Sequence, residues 1–142
     1  MSIYSAAQRL TNFTIAVACA EFRTTATDRP RMMEIGFFSA TATAQTLGLG
    51  RPAAIGVTPG GTVTVQAEEP GDPAGTVVYA LSWATAPTAP TVFMRRYPLA
   101  ATVGVGFISI FPNGCAIPVS SSFVINNVTT TVASDAHVVV DE

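Results

Sequence analysis

One histidine stands two residues after an aspartate near the end of the chain, where His137 follows Asp135. An imidazole oriented by a carboxylate is the base of many nucleophilic hydrolases, in which it activates a serine or a cysteine. The serine run Ser120–Ser122 lacks the flanking glycines of a nucleophile elbow, and the chain has no second histidine. We therefore interpret His137 as a surface or sheet-edge residue, and we predict that the protein is not an enzyme.

Acidic side chains are concentrated in one proline-rich segment, which contains Glu68, Glu69 and Asp72. Neighbouring carboxylates can form the acid pair of a glycosidase or bind a calcium ion. Glu68 and Glu69 are adjacent, so in an extended chain they point in opposite directions. Their spacing also matches no EF-hand loop. The pattern favours a solvated loop, and we predict neither a metal nor a cofactor.

The two cysteines, Cys19 and Cys115, each stand in a run of small apolar residues. The chain has no CxxC motif and no cluster of cysteine and histidine, so a zinc site is not expected. Two buried free thiols are favoured, because unpaired cysteine behaves as a small hydrophobe. A disulfide bridge between them stays an alternative.

Aromatic residues offer a different chemistry, because sugars stack on exposed rings. Trp83 and Tyr97 flank the loop Ala86–Pro90, and a carbohydrate-binding module would use one or the other of them with this loop. Both stand within strand-like segments at spacings that fit a hydrophobic core. Core packing is therefore favoured, and the carbohydrate-binding module is kept as an alternative.

The chain contains no lysine: its seven positive charges are arginines, its formal net charge is −2, and 49% of its residues are hydrophobic. Binding to the nucleic-acid backbone needs a basic surface, which a chain of this charge is not expected to have, so we predict no nucleic-acid partner. No apolar run reaches the length of a membrane span. Lysine normally solubilises surfaces and protects sheet edges. Its absence indicates surface buried against other copies or a partner, with Arg95 and Arg96 as candidate interface residues.

Short segments that alternate apolar and polar residues follow one another along most of the chain, separated by turns rich in glycine and proline. Arg31–Thr43 is predicted to be a long strand and Thr62–Ala67 a regular one. Val103–Phe111 is the most apolar, and Pro112–Gly114 predicts a tight turn after it. About eight or nine strands at this spacing predict an all-β fold, a single jelly-roll-like sandwich over residues 13–142. An immunoglobulin-like sandwich is the alternative.

Residues 1–12 precede the first clear strand and are predicted to form an N-terminal arm. The segment is too short and too mixed to fold alone, yet it contains Ile3, Tyr4 and Leu10. A solvated tail has little use for such side chains. We therefore expect the arm to be ordered only in an assembly, with these three residues at the interface with a neighbouring chain.

Three stretches of the sequence resemble a known class of proteins. They are Met1–Arg9 with Ala20–Thr25, Glu34–Phe38 with Leu47–Gly56, and Val138–Glu142. Together they are similar to small all-β structural proteins of tailed bacteriophage virions, a class that includes capsid decoration, or cement, proteins. The resemblance implies a homo-oligomer, often a trimer, seated on the head shell. It implies no catalytic residue.

The sequence and the resemblance together predict a virion structural protein, most simply a capsid decoration protein that stabilises the head by subunit contacts. Its partners would be the major capsid protein or other virion proteins, and it would be made in the host cytoplasm. A tail or head-fibre component is the alternative on the same particle.

Overall fold

The computed structural model of the protein describes residues 2–11, 17–24, 29–129 and 133–142. These residues form thirteen strands, all paired antiparallel, and no helix. The strands are β1 (Ile3–Leu10), β2 (Ala18–Thr24), β3 (Arg31–Ser39), β4 (Gln45–Gly50), β5 (Val57–Gly60), β6 (Val63–Thr64), β7 (Gln66–Ala67), β8 (Val77–Ala80), β9 (Ser82–Thr85), β10 (Phe93–Leu99), β11 (Gly106–Ala116), β12 (Phe123–Asn127) and β13 (Ser134–Asp141).

The strands form a five-stranded sheet in the order β11-β3-β13-β1-β7 and a six-stranded sheet in the order β10-β4-β12-β2-β8-β6. A small third sheet pairs β5 with β9. Without β5–β9, two four-stranded sheets remain, in the orders β11-β3-β13-β1 and β10-β4-β12-β2. This is the topology of an eight-stranded jelly roll. The all-β sandwich prediction is confirmed, and the strand count exceeds eight or nine because five short strands are inserted between β4 and β10.

The core lies between the two large sheets because side chains on each strand alternate between the inner and outer faces. In β13, Ala136, Val138 and Val140 are buried in the core, whereas His137 and Val139 are half-buried on the outer face. Both sheets contribute to the core. The largest side chains with almost no exposed surface are Tyr79, Phe22, Phe37, Phe123, Leu10, Met32, Ile35, Leu47, Leu49, Ile117 and Ile125.

The predicted N-terminal arm is wrong for the residues described, because residues 3–10 form β1 inside the five-stranded sheet. β1 pairs with β13 along its whole length, from Ile3 opposite Asp141 to Leu10 opposite Ser134. Its other side pairs with β7. The arm therefore belongs to the sandwich and needs no neighbouring chain to order it. Met1 and Asn12, the outer limits of the predicted arm, lie outside the described residues.

The segment Val63–Ala67 closes one side of the sandwich. Its first part, β6, pairs with β8 of the six-stranded sheet, and its last part, β7, pairs with β1 of the five-stranded sheet. Val65 stands between them and is buried. The sequence predicts one regular strand here. The structure corrects this, because the chain passes from one sheet edge to the other at Val65.

The inserted residues 51–92 cover part of the outer face of the six-stranded sheet. A row of paired residues crosses this face: Ala80 opposite Glu21, Glu21 opposite Val124, and Val124 opposite Gly50. All four are buried, although this face points away from the core. Pro90 packs where a side chain at Gly50 would stand. The insertion thus buries part of the outer face of the six-stranded sheet, in addition to the core between the two large sheets.

β11 runs through the predicted turn at Pro112–Gly114 and continues its pairing with β3. Ile110 lies opposite Glu34, and Cys115 lies opposite Met32, so the register shifts between the two pairs. Gly114 adopts a positive φ of 63°. The segment is an irregularity within one long strand, because the residues on both sides of it pair with the same neighbour.

Candidate interaction surface

β10 and β11 are the terminal strands of the two large sheets and lie on the same side of the sandwich. The ring of Tyr97 on β10 stacks on that of Phe107 on β11, with centroids 3.8 Å apart and planes inclined by 17°. The guanidinium of Arg95 lies 4.9 Å from the ring centroid of Phe111. Side chains therefore close this side of the core, whereas the chain itself closes the opposite side at Val65.

Large apolar side chains are exposed along the same side. Of the eight that are exposed in the described part of the chain, five lie on β10 and β11 or just before them. Their exposed fractions run from 48% for Met94 to 77% for Val92. We call these five residues the edge patch: Val92, Met94, Val103, Ile108 and Ile110. Clusters of exposed apolar residues on edge strands mark interaction sites. A partner that covers them removes apolar surface from water and can pair with the free backbone groups of the edge.

On β11 the edge patch alternates with core residues. Phe107, Ser109 and Phe111 face inward, while Ile108 and Ile110 are 54% and 61% exposed on the outer face. Both faces of this strand are therefore apolar. A strand with two apolar faces is typical of a sheet that is covered on both sides. The signal in the sequence is the apolar strand itself, and the strand order adds that β11 ends its sheet and has an edge left for a partner.

The outer face beside the edge patch carries a histidine–carboxylate pair. Ile108 lies opposite Gly36, and Gly36 lies opposite His137. The His137 ring lies over Gly36, where any Cβ would overlap it. This places Nε2 of His137 2.8 Å from Oε1 of Glu34. Phe38 stacks on the imidazole with centroids 6.2 Å apart. The missing side chain of Gly36 thus leaves the space that the imidazole occupies.

The five predicted interface residues divide into two groups. Arg95 and Arg96 are exposed on β10, next to the edge patch. Tyr4 and Leu10 are only 2% and 1% exposed, because they pack in the core of this same chain, and Ile3 is half-buried. The prediction that Tyr4 and Leu10 contact a neighbouring chain is therefore wrong.

His137 does not pair with the nearby Asp135. The Nε–H and Nη2–H groups of Arg9 donate hydrogen bonds to the two carboxylate oxygens of Asp135, each at 2.7 Å. Arg9 lies directly opposite Asp135 in the β1–β13 register. The hydrogen bonds from Arg9 hold the pKa of Asp135 below its usual value. The imidazole instead approaches Glu34.

The acidic segment forms a loop between β7 and β8, as predicted. Glu68 and Glu69 are exposed, and Asp72 is half-buried. Within the described ranges, no group of three or more histidine, cysteine, aspartate or glutamate side chains could hold a metal ion. Cys19 is buried and Cys115 half-buried, and both thiols are free. Burial raises the pKa of Cys19 far above that of an ordinary thiol.

The two aromatic residues of the carbohydrate alternative occupy different surfaces. Tyr97 packs at the margin of the core against Phe107. Trp83 lies on the outer face of the six-stranded sheet, where its indole N–H donates a hydrogen bond to Glu21 at 2.7 Å. The two rings therefore do not form one sugar-stacking platform. A carbohydrate-binding module that uses only one of them with the loop Ala86–Pro90 stays a prediction.

The described residues include no helix long and apolar enough to cross a membrane. Comparison of the chain with protein-family models, curated proteins and solved structures finds no match. The edge patch, with Arg95 and Arg96 beside it, is accordingly the candidate functional surface that the geometry of the molecule itself provides.

Proposed function

We propose that the protein is a structural component of a bacteriophage virion that decorates the head shell, with the edge patch as its contact surface. The observation that carries the proposal is the exposure of five large apolar side chains on or just before two edge strands of a lysine-free jelly roll. Jelly rolls recur in viral capsid domains. The resemblance of the sequence to virion proteins points the same way.

The edge patch suits a role that depends on buried area. Covering apolar surface stabilises a contact by about 25 cal/mol per Å², before the cost of association is subtracted. Arg95 and Arg96 lie beside the patch, and arginine is enriched at protein interfaces. A protein that acts in this way needs no catalytic group.

The partner of the edge patch would be the major capsid protein or another virion protein, and the decoration protein would act as a homo-oligomer. The trimer remains what the resemblance implies. Synthesis in the host cytoplasm, followed by attachment to the particle, completes the proposal.

Sedimentation with purified empty heads of a phage that encodes the protein tests the proposal. We expect the chain to sediment with the heads and Val103→Asp to weaken binding about tenfold, equivalent to about 1.4 kcal/mol. Val119→Asp is the matched control, because Val119 is also a valine with an exposed side chain but lies outside the edge patch. Absence of sedimentation with heads, or equal effects of the two variants, would contradict the proposal.

The alternative place on the virion is the tail or a head fibre. Gold labels on the C-terminus, seen by electron microscopy of whole particles, separate the two. Labels spread over the shell support decoration. Labels confined to the tail, or to single protrusions of the head, replace the decoration role with that of a fibre component.

A further inference from the structure

The hydrogen bonds between β11 and β3 show which backbone groups of β11 face away from the sheet. The N–H of Ser39 donates to the carbonyl of Val105 at 2.7 Å, just before β11 begins. Paired residues in an antiparallel ladder exchange hydrogen bonds at every second position. In the register of these strands, Phe107 opposite Phe37 and Ser109 opposite Ile35 continue that series.

The residues between these positions have their backbone N–H and C=O groups on the other side of the strand. They are Gly106, Ile108 and Ile110. Among the described residues β11 has only one neighbouring strand, β3, so these groups lie along an open sheet edge. The register shifts between Ile110 and Cys115, and Pro112 within this segment has no N–H, so the regular part of the edge ends here.

The open edge from Gly106 to Phe111 lacks the features that protect natural sheet edges. It contains no charged residue and no proline, and its outward side chains are two isoleucines. Natural edge strands are normally short, charged, bulged or covered. A regular apolar edge of this kind is a template for another strand.

We propose that the edge of β11 pairs with β11 of a second copy of this chain, antiparallel, about a two-fold axis at Ile108. Ile108 then lies opposite its own symmetry mate, and Gly106 lies opposite Ile110 on both sides. The three pairs exchange about six backbone hydrogen bonds. The two five-stranded sheets join into one continuous sheet, and the isoleucines of both copies lie side by side on its outer face.

The register follows from the residues at its ends. Moving the axis to Ser109 would place Ile110 opposite Ile108 but would also set Pro112 opposite Gly106, where proline cannot donate. The register about Ile108 uses every available donor. Gly106 carries no side chain, so it leaves room for Ile110 of the other copy.

A second copy is favoured as the occupant because the edge is complementary to itself. The stretch carries no charge, so pairing it with itself brings no like charges together. A two-fold contact also closes after two chains and is the commonest symmetry of protein oligomers. This inference rests on the edge geometry and not on the proposed function. It predicts two chains in the free protein, where the resemblance to virion proteins implies three.

The mass of the free protein, measured by light scattering after size exclusion and by sedimentation over a range of concentrations, tests the inference. We expect a dimer. Ile108→Pro removes an N–H that faces the open edge and leaves the ladder with β3 intact, so it should weaken dimerisation at least about tenfold. Ile108→Val is the matched control, because it keeps both the N–H and a branched apolar side chain, and it should dimerise almost as well as the original chain.

Amide hydrogen exchange read by NMR gives a second test that needs no variant. The amides of Ile108 and Ile110 should become protected as the concentration rises, whereas those of Phe107 and Ser109 should be protected throughout. A monomer at all concentrations, a mass of three chains, or exchange at Ile108 that ignores concentration would overturn the inference. If Ile108→Pro fails to fold by circular dichroism, the exchange measurement decides.

Discussion

The indole N–H of Trp83 donates a hydrogen bond to Oε2 of Glu21, a carboxyl group with no solvent exposure. The other carboxyl oxygen accepts hydrogen bonds from the backbone N–H of Gly56 at 3.1 Å and from the hydroxyl of Ser122 at 2.7 Å. Gly56 and Trp83 belong to the insertion, and Glu21 belongs to β2. One buried side chain therefore joins the insertion to the outer face of the six-stranded sheet.

Replacing Glu21 with glutamine should loosen the insertion. Glutamine has the same shape as glutamate, but an NH2 group replaces one of the two acceptor oxygens. That NH2 group would face the N–H or O–H groups that donate hydrogen bonds to Glu21. A buried donor left without a partner costs about 1–3 kcal/mol, so Glu21→Gln should lower the free energy of unfolding in urea by that amount. Trp83 is the only tryptophan, and its fluorescence should shift to longer wavelength in the folded variant.

Ser122→Ala is the control for this substitution. It removes one of the donors to Glu21 but leaves Trp83 and Gly56 bonded, so about 1 kcal/mol should be lost and the fluorescence should not change. An unshifted Trp83 spectrum in Glu21→Gln would show that the insertion is held by other contacts.

Gly36→Ala should displace the imidazole that covers it. A Cβ at this position overlaps the His137 ring, so the substitution should lower the free energy of unfolding by about 1–3 kcal/mol and separate His137 from Glu34. The same change in a His137→Ala background should have a much smaller effect. Urea unfolding of the four proteins of this double-mutant cycle measures the coupling, and a coupling near zero would refute the close approach.

Asp135 should titrate below the usual range of an aspartate, because Arg9 donates hydrogen bonds to its carboxylate. Because this pKa is lowered on folding, the carboxylate adds to the free energy of unfolding at pH values above the ordinary aspartate pKa. The added stability is lost as the pH falls through the lowered pKa. Both side chains are about half exposed, so solvent screens the pair and the effect on stability is small. Carboxyl NMR shifts measure the pKa, and Arg9→Met should raise it. An unchanged titration of Asp135 in that variant would contradict the pairing.

Tyr79→Phe should leave stability unchanged or raise it at neutral pH. The Tyr79 ring is buried against Phe22, with centroids 4.6 Å apart, and phenylalanine keeps that packing. Its hydroxyl is buried with no hydrogen-bond partner in the structure, so removing it also removes an unsatisfied polar group. Thermal and urea unfolding test this, and a loss above about 1 kcal/mol would show that the hydroxyl is satisfied in solution.

Stability should fall steeply in alkali. Burial raises the pKa of both the Cys19 thiol and the Tyr79 hydroxyl, so above their ordinary values only the unfolded chain ionises. Below about pH 9 these two groups do not reduce the free energy of unfolding. As the pH rises further, each group that ionises in the unfolded chain lowers the free energy of unfolding by about 1.4 kcal/mol per pH unit. Urea unfolding between pH 8 and pH 11 measures the slope. Cys19→Ala should reduce it, and an equal slope in that variant would contradict a buried thiol.

The sandwich could be predicted because its strands follow one physical rule. Ala136, Val138 and Val140 alternate with residues of the outer face, and one inner face of this kind needs a second sheet to cover it. Which strands lie next to each other in a sheet could not be predicted in the same way. Tyr4 and Leu10 resemble interface residues of a loose arm, because the strand that pairs with theirs, β13, lies at the other end of the chain.

The edge patch was hidden for a related reason. A strand that is apolar on both faces, such as Val103–Phe111, is equally typical of a sheet centre and of a sheet edge awaiting a partner. Only the strand order shows that β11 ends its sheet. Pro112–Gly114 has the composition of a hairpin turn, but the pairing of both flanks with β3 makes it an irregularity of a single strand.

The place of β13 between β1 and β3 has a consequence for synthesis. The five-stranded sheet cannot be completed until residues 134–141 have left the ribosome, because β13 is the strand that pairs with both β1 and β3. β12 stands in the same relation to β2 and β4. Neither large sheet can therefore be completed until its central strand has been made. A nascent chain halted before β12 holds four strands without their central neighbours, which is the state in which chaperones bind and aggregation competes.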